Sequence, residues 1–399
     1  MMSTASLNIA AALTPTRRLR IALVTETYPP EVNGVAMTIA RLVKGLVAGG
    51  HQVQLIRPCQ DRKKDQVRQE GDLDIHPQPG FRIPFYREVR LGLPVGWRLY
   101  HLWRQQRPDL VHLVTPGPLG AAALGSARRL GITVSSGFHT HFQTYSRYYG
   151  LGRLAIPLMA YLRWFHNRTA CTLVPTPELA TQLGAMGFGR TVVLSRGVDT
   201  TLFTPHRRSQ TLRYDWGVAP DDLVALYVGR LAAEKNLELL LATFQAMRQC
   251  GPKIRLVIVG GGPLATTLRA QHPEIIFCGV RQGIDLATHY ASADIFLFPS
   301  LTETFGNVTL EAMASGLAVV AFDYAAAHDY IQHARSGLLA PCDEPATFTA
   351  QAQRLAEDPE LIPALGREAR NVTMACDWER VYQQLESFFL ELCATQGNP

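Results

Sequence analysis

The chain has 399 residues, of which 47% are hydrophobic and 18% charged, and its formal net charge is +6. This length exceeds what one ordinary core occupies, so two domains are predicted. The seven cysteines include no C-x-x-C pair, which argues against a zinc site or a disulfide framework and fits a reducing, cytoplasmic compartment.

The N-terminus predicts a disordered tail over residues 1–18. Its arginines follow the apolar part, whereas a secretory signal carries its charge first. Nowhere does the chain contain about 20 consecutive uncharged apolar residues, so no membrane-spanning helix is predicted.

Basic charge is concentrated in the first half of the chain. Residues 1–200 hold 24 Lys and Arg against 11 Asp and Glu, whereas residues 201–399 hold 15 against 22. Residues 81–107 alone contain six arginines, interleaved with Phe81, Phe85, Tyr86, Trp97, Tyr100 and Trp103. This composition favours an anionic surface as partner, either a membrane or nucleic acid. The alternative is that the aromatic rings belong to the core and the arginines coat the surface.

The first predicted unit is strand–helix–strand, over residues 20–25, 37–48 and 52–57. Gly34 lies in its first loop, where a glycine lets the backbone approach a phosphate closely, although a turn glycine is the simpler interpretation. The loop lacks G-x-G-x-x-G, which disfavours a dinucleotide site. Asp72 and Asp74 form a D-x-D sequence in a charged segment and are interpreted as solvated.

Further strands are predicted in the first half over residues 109–114, 133–136, 172–175 and 191–194, with helices over 118–130, 151–165 and 178–186. His139 directly follows one of these strands, and ligands bind at the carboxyl ends of parallel strands. The alternative is a structural histidine held by hydrogen bonds. His141 adds a second imidazole, but no third metal ligand is evident.

The second half begins with an apolar strand, 223–228, followed by a loop that carries Arg230 and Lys235. Two cations at this position can neutralise a leaving diphosphate without a metal ion. The alternative is a pair of surface cations, but cations are unfavourable at the start of the helix predicted over 237–247.

Residues 294–323 predict a strand over 295–298, a polar loop, a helix over 307–314 and a second strand over 317–322. Glu303 lies on the loop, and Glu311 follows after seven intervening residues, so both can face one crevice. The helix start offers the amides of Asn307, Val308 and Thr309 to an anion. Carboxylates accept sugar hydroxyls, so the site suits a nucleotide sugar, although a loop carboxylate and a helix-surface carboxylate are the simpler interpretation.

This stretch, with FPS before it and an E-x-FG-x-x-x-LEAMA-x-G core, resembles the E-x7-E signature of retaining glycosyltransferases of family 4, which have the GT-B fold. GRL-x-x-EKN at 229–236 is similar to the family's diphosphate loop, and RGVD at 196–199 to its interdomain element. The resemblance covers about residues 20–395. It is strongest to GDP-mannose-dependent mannosyltransferases that act on lipid acceptors.

The resemblance implies a role for each candidate residue. Arg230 and Lys235 hold the diphosphate, and Glu311 binds the ribose. Glu303 and the backbone around the helix start bind the sugar and phosphates, and His139 orients the reacting face. The implied donor-binding set is Gly34, Arg230, Lys235, Glu303, Phe305, Gly306, Asn307, Val308, Thr309 and Glu311. No cofactor, no metal and no nucleic-acid partner are implied.

The predicted architecture is α/β: an acceptor domain over 19–200, a nucleotide-sugar domain over 201–377, and a final helix, 378–399, that crosses back to the first domain. The predicted reaction moves a hexose, mannose above all, to a lipid or glycan. Alternatives are a UDP-sugar glycolipid transferase, another GT-B sugar enzyme, and a non-catalytic nucleotide-sugar binding protein.

Overall fold

A computed structural model describes residues 17–31, 33–60, 65–83, 86–139, 155–250 and 253–395. Residues 1–16 of the predicted tail, His141, Phe85 and the first four residues of the helix predicted at 151–165 lie outside these ranges. No helix within the ranges is long and apolar enough to cross a bilayer.

Within these ranges the first sheet has eight strands in the order β10-β9-β8-β7-β1-β2-β4-β3, all parallel except β3, which pairs antiparallel with β4. A separate antiparallel hairpin consists of β5 and β6. The strands are β1 Arg20–Val24, β2 Gln52–Pro58, β3 Arg68–Glu70, β4 Leu73–Gln78, β5 Gly80–Ile83, β6 Tyr86–Gly92, β7 Leu110–Leu113, β8 Thr133–Gly137, β9 Cys171–Val174 and β10 Thr191–Val193. The helices are α1 Gly34–Ala48, α2 Gly96–Gln105, α3 Pro118–Arg129, α4 Ala155–His166 and α5 Pro177–Ala185.

In the described part of the second half, the second sheet has six parallel strands in the order β13-β12-β11-β14-β15-β16. The strands are β11 Leu223–Val228, β12 Ile254–Val259, β13 Ile276–Gly279, β14 Ile295–Phe298, β15 Ala318–Phe322 and β16 Leu338–Ala340. The helices are α6 Gln210–Asp215, α7 Leu237–Gln249, α8 Ala265–Gln271, α9 Gly283–Ala291, α10 Asn307–Ala314, α11 Ala326–Tyr330, α12 Pro345–Glu357, α13 Leu361–Thr373 and α14 Trp378–Ala394.

The predicted fold class, two parallel-sheet Rossmann-like domains, is confirmed. The predicted strands at 223–228 and 295–298 and the helix at 307–314 match the structure at both ends. Helix α1 begins at Gly34, three residues before its predicted start, because the Asn33 side chain caps it by accepting the Ala36 amide at 2.8 Å.

Each sheet carries its own hydrophobic core. Strands β11, β14 and β15 of the second sheet are buried along nearly their whole length, as expected for parallel strands with helices on both faces. In both sheets the carboxyl ends of the parallel strands lie on one edge, where β1 leads into α1 and β14 leads into the loop before α10.

The final helix, α14, buries its apolar face in the core of the first sheet rather than the second. Trp378, Leu385 and Phe389 are buried there beside Ile39 and Leu42 of α1. Gly45 of α1 lies against the Tyr382 ring, where an added Cβ would come within 2.5 Å of ring carbons. A glycine is required because the two helices approach this closely.

Replacing Gly45 with Ala should therefore destabilise the protein. Gly-to-Ala in a helix interior normally stabilises by roughly 0.5–1 kcal/mol, but here the new methyl group would collide with Tyr382. Gly125 of α3 is the matched control, because a Cβ there meets nothing within 4 Å. Thermal unfolding should show a lower Tm for Gly45→Ala and a higher one for Gly125→Ala. A higher Tm for both variants would contradict the docking of α14 on α1.

Candidate active site

The loop between β14 and α10 carries Glu303, whose carboxylate forms an ion pair with Lys235 on the loop after β11. The Ser300 hydroxyl donates a second hydrogen bond, at 2.8 Å, to the same carboxylate oxygen, Oε1. Burial acts to raise the pKa of Glu303, but the Lys235 ammonium and the two hydrogen bonds outweigh it, so the pKa lies below its ordinary value. Glu303 is therefore ionised at neutral pH and Lys235 is its counter-ion.

The loop after β11 is tied to the Glu303 loop by two further hydrogen bonds. Thr302 Oγ1 donates to the Glu234 carbonyl at 3.0 Å, and Asn236 Nδ2 donates to the Pro299 carbonyl at 3.3 Å. Arg230 lies 3.7 Å from the buried carboxylate of Glu234. The two predicted diphosphate cations thus stand on a loop whose position is set by the loop that carries Glu303.

Helix α10 begins after Gly306, whose φ of +92° is a left-handed conformation that glycine adopts readily. Among the described residues, the amides of Asn307 and Val308 have no hydrogen-bond acceptor. The prediction of a third free amide, that of Thr309, is wrong: this amide donates to the Gly306 carbonyl at 3.0 Å, which closes the first turn. The two free amides still form a helix N-terminus that favours an anion.

Two of the predicted donor-binding residues, Phe305 and Thr309, are buried, at 2% and 1% exposure. The Phe305 ring packs edge-on against Tyr330 and lies under the guanidinium of Arg196. These two side chains pack inside the protein and support the loop.

Glu311 lies one turn along α10, where the Tyr290 hydroxyl of α9 donates to its Oε2 at 3.0 Å. Burial raises the pKa of this carboxyl to about 7, and the Tyr290 hydrogen bond and the more distant Arg41 lower it only in part. The two glutamates of the E-x7-E pattern therefore have opposite shifts, because a cation contacts Glu303 directly while Glu311 has a neutral phenol.

The first domain contributes Gly34 and His139 to the same cleft. The Cβ position of Gly34 lies 3.9 Å from Asn307 Nδ2, so α1 and α10 begin opposite one another. Thr304 Oγ1 donates to the His139 carbonyl at 3.0 Å, across the cleft. Burial and the nearby charge of Arg196 hold the pKa of the His139 imidazole well below its ordinary value, so it is neutral.

Arg196, in the segment between the domains, was not predicted as a site residue. It donates to Thr38 Oγ1 at 3.0 Å and to Asn307 Oδ1 at 3.4 Å, and its Nη2 lies 3.3 Å from His139 Nδ1. Its place in the RGVD element, assigned by resemblance, was the one signal available in the sequence.

The structure thus brings Gly34, His139 and Asn307 together around Arg196, with the Lys235–Glu303 pair beside them. Glu311 lies one turn along α10 with Tyr290. Asp72 is paired with Arg18 and directly precedes β4, at the amino-terminal edge of the first sheet and away from the cleft. Across the described residues, no three His, Cys, Asp or Glu side chains gather as a metal site requires.

Two facing Rossmann-like domains and a charged site at their carboxyl edges define a GT-B glycosyltransferase. Residues 32–202 match the family described as Glycosyltransferase Family 4, and residues 222–358 match Glycosyl transferases group 1. The chain is 34% identical to a GDP-mannose-dependent alpha-mannosyltransferase of Mycobacterium tuberculosis, over 82% of this chain and 85% of that protein. It is 32% identical to a protein of the same name from Corynebacterium glutamicum, over 95% of this chain and 90% of that protein. The chain belongs to glycosyltransferase family 4.

A solved structure with the same fold is sucrose-phosphate synthase from Thermosynechococcus elongatus. It has a TM-score of 0.77 and 20% identity, and the match covers 95% of this chain and all of that one.

Replacing Glu311 with Gln should remove a pH dependence of stability. The folded pKa of about 7 exceeds the ordinary value of 4.5, so between these values the folded chain binds a proton that the unfolded chain has released. The wild-type free energy of unfolding therefore falls as pH rises through this window, by up to about 1.4 kcal/mol per pH unit. Gln stays uncharged at every pH, so the variant lacks the contribution of Glu311 to this pH dependence.

Urea unfolding of both proteins at several pH values across the window measures this difference. Glu26, whose burial also raises its pKa to about 7, is present in both proteins and cancels. Parallel stability curves for the two proteins would show that Glu311 ionises freely in the folded chain.

Proposed function

We propose that this protein transfers mannose from GDP-mannose to a lipid or glycan acceptor, with retention of anomeric configuration and without a metal ion. The observation that carries the proposal is the Lys235–Glu303 pair beside the two free amides of α10, facing the first domain. The donor assignment is supported by relatives named for GDP-mannose at 32–34% identity. Retention follows from the family resemblance.

The diphosphate of the donor lies at the start of α10, opposite Gly34. Its negative charge grows as the bond between sugar and phosphate breaks, and the free amides, Lys235 and Arg230 stabilise that charge. Since Lys235 and Glu303 already neutralise each other, the donor is bound by rearranging an existing charge pair. Glu303 accepts sugar hydroxyls on the side away from Lys235.

Glu311 accepts the ribose hydroxyls, because Tyr290 occupies only one of its oxygens. His139 stands on the acceptor side of the donor sugar. Its neutral imidazole, with Nδ1 facing Arg196, orients the reacting face without adding charge.

A UDP-sugar is the second candidate donor. The chain is 32% identical to the sulfoquinovosyl transferase SQD2 of Arabidopsis thaliana over 75% of this chain, although the match covers only 59% of that protein. It is also 25% identical to the alpha-monoglucosyldiacylglycerol synthase of Acholeplasma laidlawii, over 94% of this chain. The second relative, named for a diacylglycerol product, supports a glycolipid product whichever base the donor carries.

The donor assignment is tested by measuring the rate at which nucleoside diphosphate is released from GDP-mannose, UDP-glucose and UDP-galactose. GDP-mannose should be turned over fastest, and EDTA should leave the rate unchanged because protein cations supply the counter-charge. Lys235→Ala should lower turnover per folded molecule about a hundredfold or more, and it should also lower the Tm because Glu303 loses its counter-ion. The matched control, Lys253→Ala, is exposed directly before β12 and should change neither.

Three results would count against this assignment. Faster release of nucleoside diphosphate from a UDP-sugar would show that the donor is that UDP-sugar and not GDP-mannose. Activity that EDTA removes and Mg²⁺ restores would overturn the metal-independent mechanism. Equal turnover by the two lysine variants would remove Lys235 from the site.

We further propose that the first domain docks on an anionic membrane through α2. Trp97 is 67% exposed with Arg98 stacked over its ring, and Arg104 lies over Tyr100. Exposed aromatic rings beside arginines suit the boundary between lipid headgroups and water.

The segment 81–107 divides between this surface and the core. For Trp103 the alternative interpretation is correct, because the residue is fully buried in the core of the first domain. Arg90 donates to the Cys59 carbonyl at 2.7 Å. Phe85 and the side chains of Tyr86 and Arg87 lie outside the described residues.

Basic charge continues beyond the end of α2. Arg107 donates to the Gly131 carbonyl, and Gly131 borders a cavity of about 590 Å³ flanked by Arg128 and Arg168. This cavity is placed to receive the phosphate of an anionic lipid next to the surface formed by α2.

Co-sedimentation with vesicles tests the docking surface. Binding should require anionic lipid and fall with salt. The double variant Trp97→Ser, Arg98→Ser should weaken vesicle binding about tenfold or more. One basic residue contributes roughly 1 kcal/mol of binding free energy, and the tryptophan ring, buried in the headgroup boundary on binding, adds to it. The matched control is Ile284→Ser with Arg281→Ser, an exposed apolar–basic pair on the second domain. Equal binding to neutral vesicles, or an equal loss in both double variants, would exclude α2 as the membrane surface.

A further inference from the structure

Arg196 is buried, at 7% exposure, in the segment where the chain passes from the first domain to the second. Its three described hydrogen-bond partners, Thr38, His139 and Asn307, come from α1, from the loop after β8 and from the start of α10. All three are neutral. A guanidinium carries five N–H donors, and two of these three contacts, at 3.3 and 3.4 Å, are long for hydrogen bonds.

Other buried arginines in the described part of the chain have carboxylate partners. Arg57 pairs with Asp65 at 2.6 Å, and Arg213 pairs with Asp294 at 3.0 Å. Among the described residues, no carboxylate lies within ion-pair distance of Arg196. Burying a charge without a counter-ion is unfavourable, so this arrangement needs a reason that Arg57 and Arg213 do not.

The neighbouring charges in the cleft are already matched. Lys235 contacts Glu303, Arg230 lies beside Glu234, and Arg41 pairs with Asp199 at 3.4 Å. Glu303 acts on Arg196 only at longer range. Burial lowers the pKa of Arg196 to about 10, so it stays protonated at neutral pH. Among the described residues, Arg196 is therefore a buried cation of the cleft that no carboxylate contacts.

This charge lies beside the start of α10, where the proposed function places the donor diphosphate. Arg196 contacts Asn307, whose amide is one of the two free N–H groups of α10, and Thr38 follows Gly34 by one helical turn. An anion at the α10 terminus would have these amides on one side and the guanidinium on the other.

We propose that Arg196 receives an anionic oxygen of the substrate at the seam between the domains. The oxygen belongs either to the donor diphosphate or to an acid group on the accepting sugar. Either one supplies the counter-charge that the described residues lack, and replaces the long contacts to His139 and Asn307. This inference rests on the proposed glycosyl transfer.

Calorimetry on the full chain, with GDP as the probe, tests whether the oxygen belongs to the donor diphosphate. If the oxygen is phosphoryl, Arg196→Met weakens GDP binding about tenfold to a hundredfold, as expected for a lost ionic hydrogen bond, and leaves guanosine binding unchanged. Arg335→Met, a surface arginine, is the matched control and binds GDP like the wild type.

Acceptor competition tests the second source. Octyl glucuronide and octyl glucoside are offered with GDP-mannose. If the oxygen belongs to an acid sugar, the wild type has a lower KM for the glucuronide, and Arg196→Met loses that preference while binding GDP normally. Arg196→Lys, which keeps the charge with a single point of contact, should lie between the two, and it carries both tests if the Met variant does not fold.

Unchanged GDP affinity together with no acid preference attributable to Arg196 overturns the inference. Failure of the wild-type chain to bind either GDP or UDP would overturn the proposed function and the inference with it. If the wild-type chain binds GDP and neither GDP affinity nor acceptor preference changes in the Arg196 variants, the inference alone is overturned.

Discussion

The burial of the α14 apolar face against α1 is the constraint on which the cleft depends. The chain leaves the first domain after β10, builds the second, and returns so that Trp378, Leu385 and Phe389 complete the first core. Gly197 lies against the backbone of Trp378, so the outgoing and returning segments touch. Two crossings restrain the second domain more strongly than one, and they hold the carboxyl edges of the two sheets toward each other.

With the edges so placed, the site is an arrangement of largely buried charges. The two glutamates show how the surroundings decide the chemistry. Both are largely removed from water, which alone would raise both pKa values. A contacting ammonium reverses the shift at Glu303 but not at Glu311. One residue is thus held as a carboxylate, while the other changes protonation near neutral pH, where ribose hydroxyls would compete with the proton.

The parts of the fold that the sequence predicted well are those whose burial is uniform. Strands such as β11 and β14 are apolar throughout because helices cover both faces of a parallel sheet. Strands β3 to β6 and helix α2 were not predicted. β3 is exposed along its length, β5 and β6 form a separate hairpin, and α2 buries only Leu99 and Trp103, so local composition there is dominated by polar and basic residues. The same mixture made the 81–107 aromatic residues resemble a single surface, although Trp103 packs inside.

By itself, the sequence determined the α/β class, the strand–loop–helix unit that carries Glu303 and Glu311, and the loop cations Arg230 and Lys235. Local spacing and turn chemistry set these, because each lies within a few residues of the strand that positions it. Only the tertiary structure decided which charges are paired. Lys235 meets Glu303 from 68 residues away, and Arg196 meets Thr38 from 158 and Asn307 from 111. The free energy of a buried charge depends on what the folded chain brings beside it, and no local pattern records that.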